Sequence, residues 1–230
     1  MKLTRTIRWT LTAALAAAGI GGALYAQERY DEKVRNLFFA GFRGDTVSLD
    51  KGMKITEDTL AAEPKHAEAR VWHGAGVFFR AGMAFQKGDV SNGAVLWQRG
   101  LEEMREAVGL APDNLGVRIP RGAVLLTASH NVPPNMAKPL LETGLTDFEH
   151  AYKLQERIFH TLGTHPRGEL MIGMASAYDR LGQKEKAREW FERMAVELPG
   201  TPYETSARLW METRSLPANQ SGCLGCHVKQ

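Results

Sequence analysis

Between Tyr30 and Leu216, alanine, leucine, methionine and aromatic residues recur every three or four positions, and no segment sustains an alternation of period two. Apolar residues at that spacing share one face of a 3.6-residue helix, whereas a half-buried strand needs strict alternation. The pattern predicts an all-α fold. Thr201-Pro202-Tyr203-Glu204 offers a capping threonine, a proline at the first helical position and a glutamate to close the box, which predicts a helix from 202 to about 214. Thr146-Asp147-Phe148-Glu149 reads as a second helix start of the same kind.

Three stretches punctuate the pattern: Leu60-Ala-Ala-Glu-Pro64, Val108-Gly-Leu-Ala-Pro112 and Ala195-Val-Glu-Leu-Pro199. Each closes an amphipathic helix and opens the next. Upstream of each stands a glycine turn, Arg43-Gly44-Asp45, Lys87-Gly88-Asp89 and Leu181-Gly182-Gln183. Glycine, helix, proline, helix is the order of stacked helical hairpins, which bury their apolar faces only against neighbours. About four hairpins are expected over 27–216. The stretch from Asn114 to Pro166 follows the order least, since Pro120 falls inside a predicted helix and Val132-Pro133-Pro134 interrupts the chain.

Over residues 168–201 the spacing becomes specific. Met171, Met174, Ala175 and Tyr178 occupy large, large, small and aromatic positions on a first helix, Gly182 makes the turn, and Ala187, Phe191 and Pro199 complete a second. In these positions the segment resembles a tetratricopeptide repeat. The earlier copies are looser, with 20 and 24 residues from glycine to proline in place of 17. The resemblance implies a solenoid that binds a peptide or partner protein on its concave face. It also implies that a C-terminal peptide clamp is disfavoured, because Ile172 and Ser176 stand where the family's carboxylate-gripping lysine and asparagine would.

The first 26 residues pair a basic start, Lys2, Arg5 and Arg8, with an apolar run from Trp9 through Ala26. This is the composition of a secretory signal with cleavage after Ala26, although Leu24 occupies a place where a small residue is usual. An uncleaved membrane anchor is the alternative, at the lower edge of the length that spans a bilayer. A periplasmic or otherwise exported protein is expected in either case. Removing the segment leaves 26 basic against 26 acidic residues, so the net charge of +3 belongs to the signal and nothing points to nucleic acid.

The only two cysteines lie in the tail 217–230, as Cys223-Leu-Gly-Cys226-His227. C-x-x-C-H is the attachment motif of c-type haem. Two thiols three positions apart on one helical turn reach the two vinyl groups of a porphyrin, and the adjoining imidazole binds iron. Cys223, Cys226 and His227 are therefore expected to hold one covalent haem c, with His227 on the metal. A disulfide would close too short a loop to stabilise much. A thiol oxidoreductase would place the pair after a strand, and zinc would require distant histidines as further ligands. Only three residues follow the motif, so a second axial ligand must come from upstream, from a partner, or not at all. Met211 is the nearest methionine, and His66, His73, His130, His150, His160 and His165 are formal candidates.

Other features carry less chemistry. Arg118 and Arg121, about one helical turn apart, read as a solvated basic face or a grip for a propionate or partner carboxylate. Trp72, Phe78, Phe79, Phe85 and Trp97 read as hairpin core. Gly74-Ala75-Gly76 follows no strand and is not a dinucleotide loop. No catalytic serine, histidine and acid set or carboxylate pair stands out, so no enzyme is expected. The leading expectation is an exported monohaem cytochrome for electron transfer, its repeats docking a redox partner. The alternatives are a periplasmic adaptor or assembly factor with haem incidental or absent, and an enzyme or gas sensor with an open haem site.

Overall fold

The computed structural model describes residues 29–216, and the described residues are helical without strands. Nine α-helices follow in order: α1 Tyr30–Phe42, α2 Thr46–Ala62, α3 Ala67–Gln86, α4 Val90–Leu110, α5 Leu115–Ala128, α6 Pro134–Gln155, a 3-10 turn Glu156–Thr161, α7 Thr164–Arg180, α8 Lys184–Glu197 and α9 Pro202–Thr213. The all-α expectation holds, and the helix opened by Thr201 lies where the cap places it. The Thr201 hydroxyl accepts from the Glu204 N–H, while Glu204 reaches back to the Gly200 N–H.

The three glycine turns share one mechanism. Gly44, Gly88 and Gly182 have φ of 107°, 80° and 79°, the left-handed conformation that lets a helix end without a Cβ clash. The next residue's N–H then bonds back to the helix, Asp45 to Ala40, Asp89 to Ala84 and Gln183 to Tyr178. Asp45 and Asp89 cap the following helix as well. The turn between α5 and α6 has no such glycine; Pro133 and Pro134 set its exit instead, and α5 runs on through Pro120.

Helices pair as α1–α2, α3–α4, α5–α6 and α7–α8, with α9 against α8, and each odd helix also packs on the next odd helix. The hairpin turns therefore gather at one end of the stack, the turn end. The connections after α2, α4, α6 and α8 gather at the other, the linker end. Two apolar clusters meet along α5 and α6: Val117 and Leu125 face the first, Leu126 and Leu145 the second. Met171, Met174, Ala175, Tyr178, Ala187 and Phe191 are all buried in the second. Helices α3 and α4 approach unusually closely, since a Cβ on Gly100 would stand 2.6 Å from the Phe78 nitrogen and 2.8 Å from the Gly74 oxygen. That contact accounts for Gly74 in mid-helix.

Thr146 corrects one expectation. It lies inside α6, where its hydroxyl donates to the Glu142 carbonyl at 2.8 Å. A capping threonine and an interior one bonded to the preceding turn look alike in sequence. Burial of Leu140, Leu141, Leu145 and Phe148 carries the helix through.

Candidate functional site

Cys223, Cys226 and His227, the residues expected to attach haem, the linker before them and the segment 1–26 lie outside the described residues. The described residues show instead what the helices could present to such a tail or to a partner. No helix among them is long and apolar enough to cross a membrane, and no group of three His, Cys, Asp or Glu side chains among them converges as a metal cage.

Arg118 and Arg121 are neither a solvated face nor a waiting anion grip. Both turn inward from α5 onto Asp147 of α6, whose side chain is fully buried. Arg121 donates through Nε and Nη2 at 2.6 and 2.7 Å, and Arg118 through Nη1 at 2.8 Å. The carboxylate the arginines hold is the chain's own. Of the aromatic set, Trp72 and Phe78 are core; Trp97, 4.4 Å from Phe78 centre to centre, and Phe79, packed on Phe42, are partly buried against it, and partly buried Phe85 touches the set through Trp97 at 6.3 Å. Ile172 and Ser176 are both buried, so neither α7 position offers a partner anything to grip.

The six histidines separate into distinct roles. His66 caps α3 by accepting the Ala69 N–H on Nδ1, which leaves the proton on Nε2. His73 is buried with Nδ1 on Glu103 and Nε2 3.8 Å from Glu57. Burial pushes the Glu103 carboxyl up, but hydrogen bonds from His73 and Arg99 outweigh it and hold the group below the usual glutamate range. His150 Nε2 is bonded to Asp113 at 2.7 Å. His130 sits at the turn end beside Arg180, which bonds to both Ser129 oxygens; burial, with the Arg180 charge, holds its imidazole below the usual range. His160 lies exposed on the 3-10 turn.

His165 differs from all of these. It stands in the first turn of α7, its side chain 55% exposed, with Nδ1 3.0 Å from the Tyr203 hydroxyl of α9. That hydroxyl donates to Glu169 Oε1 at 2.8 Å. Glu169 is buried, and its other oxygen, Oε2, has no hydrogen-bond partner among the described residues. The Tyr203 ring rests directly on Gly168, where a Cβ would stand 2.3 Å from it. Only glycine there lets α9 close this chain of hydrogen bonds.

No family model matches this chain, and comparison with curated proteins and with solved structures returns no match. The geometry therefore stands by itself. It includes one groove of about 460 Å³ between α4 and α6, floored by α5 and lined by Trp97, Leu101, Met104, Met136, Leu140 and Arg121. Sequence reading anticipated neither the groove nor the tyrosine and glutamate behind His165. The one local signal was a histidine and a glutamate four positions apart near a helix start; Tyr203 lies 38 residues further on.

Proposed function

We propose that the chain is an exported monohaem c-type cytochrome whose tetratricopeptide-like hairpins hold it against a redox partner. The observation that carries this reading is the tail: the protein's only two cysteines and a histidine, in the one spacing that haem attachment requires. The chemistry of that donor set fits the group, with two thiols for thioethers and a neutral imidazole for iron. Bound there, haem would supply a one-electron couple. Cys223 and Cys226 would fix its edge to the chain and His227 would ligate the metal. The hairpins supply a groove between α4 and α6 that is apolar along most of its length, and such surfaces suit a partner segment.

The test is expression of the full chain in a bacterium that matures c-type cytochromes, followed by haem staining of the denatured protein on a gel. The expected result is a stained band at the size of the chain, lost in Cys226→Ala. An unstained band from cells that mature another cytochrome normally would refute the reading. It would favour the second one, a periplasmic adaptor that uses the α4–α6 groove without a cofactor.

A further inference from the structure

We propose that the groove between α4 and α6 receives an amphipathic helix of a partner protein, about two turns long, with an acidic side chain at one end. The inference rests on the docking part of the reading above and names the chemistry of the segment that docks.

The groove follows from where each hairpin is tight. Gly100 lets α4 sink onto α3, and Gly144 does the same for α6 on α5, where a Cβ would stand 3.0 Å from the Gly122 oxygen. Each second helix is thus drawn onto its own hairpin partner, and α5 side chains floor the space left between α4 and α6. The walls run from Trp97 to Arg105 on α4 and from Asn135 to Thr143 on α6. Either stretch rises about 12 Å, roughly two turns of a docked helix.

The charged groups are not spread evenly along it. Helices α4 and α6 run from the turn end to the linker end and α5 runs back, so Arg105 and Arg121 are the lining residues nearest the linker end on their helices. Trp97, Leu125 and Met136 stand towards the turn end, beside the uncharged amides of Gln98 and Asn135. Such a trough suits the apolar face of a helix, and its methionines, Met104 and Met136, adapt to the shape that enters.

Charge decides the occupant. Both cations stand at one end, and no carboxylate among the described residues lines the groove. Asp147 takes the hydrogen bonds of Arg121 but cancels only one of the two charges on Arg118 and Arg121. The surplus is nearly buried, where salt screens it little. Arg105 is 69% exposed and paired with Glu102; an exposed pair of this kind is worth little, so Arg105 can exchange it for a partner's carboxylate. Lys138 and Glu142 of α6 pair with each other and do not line the groove. An acidic side chain at the linker end therefore completes the site. A second copy of this chain fits less well, since two helical turns cover far less than the roughly 800 Å² per partner that a stable interface buries.

The experiment measures binding of labelled, stapled helical peptides to the full chain by fluorescence anisotropy, with the haem-stained gel run on the same preparations. The peptides share leucines at i and i+4 and differ at i+7, which is glutamate, glutamine or lysine; each is also made with that order reversed. In one of the two orders the glutamate peptide should bind about tenfold tighter than the glutamine one, and the lysine peptide should bind weakest. Added salt should narrow the gap. Arg105→Glu, at an exposed position, should remove most of the preference for glutamate. The combined Arg118→Met, Arg121→Met and Asp147→Leu variant, which takes away the surplus charge, should also weaken it. Met136→Glu should weaken every peptide. Circular dichroism confirms that each variant is folded. Equal binding of the glutamate and lysine peptides overturns the acidic partner and leaves the groove as a docking site. Binding of none overturns docking there altogether, as does a dimer in sedimentation that Met136→Glu dissociates, which would assign the groove to a second copy. In every case the gel decides the cytochrome reading separately.

Discussion

Asp147→Asn tests the interior ion cluster directly. The native carboxylate is fully buried and accepts three hydrogen bonds from two arginines whose own side chains are only 12 and 10% exposed. Asparagine keeps the volume but removes the charge, leaving two guanidinium groups in the interior without a counter-ion. Breaking a buried pair from one side costs about 3–5 kcal/mol. For a domain of this size each kcal/mol moves the melting temperature by about 2–4 °C, so the expected fall is on the order of 6–20 °C. Helical circular dichroism against temperature and urea measures it. A combined Arg118→Met, Arg121→Met and Asp147→Leu variant should recover most of the loss, since an apolar replacement of a whole buried cluster is often neutral. A loss below about 1 kcal/mol for Asp147→Asn would refute the reasoning, because it would mean that water reaches the arginines once the carboxylate is gone.

Two further outcomes follow from particular contacts and a third from the sequence. Gly100→Ala should lower stability by about 1–3 kcal/mol through the collision with α3. Gly82→Ala, in the same hairpin with nothing within 4 Å of the added carbon, should raise it by about 0.5–1 kcal/mol; paired urea melts check the contrast. Glu103 is held below the ordinary glutamate range in the folded state, so it contributes stability above the unfolded value near 4.3 that disappears as pH falls through the lower folded value. Glu103→Gln should flatten that part of the acid-unfolding curve. Mass spectrometry of the exported protein should find Gln27 at its N-terminus, as cleavage after Ala26 requires.

Much of the fold was legible because its punctuation is local. A glycine with positive φ, followed by an aspartate that caps the next helix, needs only adjacent residues, and both Gly44-Asp45 and Gly88-Asp89 behave that way. The proline-marked ends of α2, α4 and α8 are local for the same reason. The misreading came where a local motif has two outcomes. Thr146 to Glu149 fits a helix start as well as it fits a helix interior, and only the buried face of α6, packed on α5 and α7, decides between them.

The chemistry divides along the same line. The C-x-x-C-H motif is five consecutive residues, so it could be read without a structure. Arg118 and Arg121 could not, because their meaning depends on Asp147 in the next helix, 26 residues beyond Arg121. His165 depends on still more: a tyrosine from α9, a glutamate one turn along α7, and a glycine that lets the tyrosine ring lie against the backbone. Among six upstream histidines the sequence offers no ranking, since an imidazole's usefulness to a metal is decided by which nitrogen holds the proton. That proton is placed by contacts between helices. The bond from the Tyr203 hydroxyl of α9 to buried Glu169 of α7, with His165 beside it, is a contact of that kind between helices.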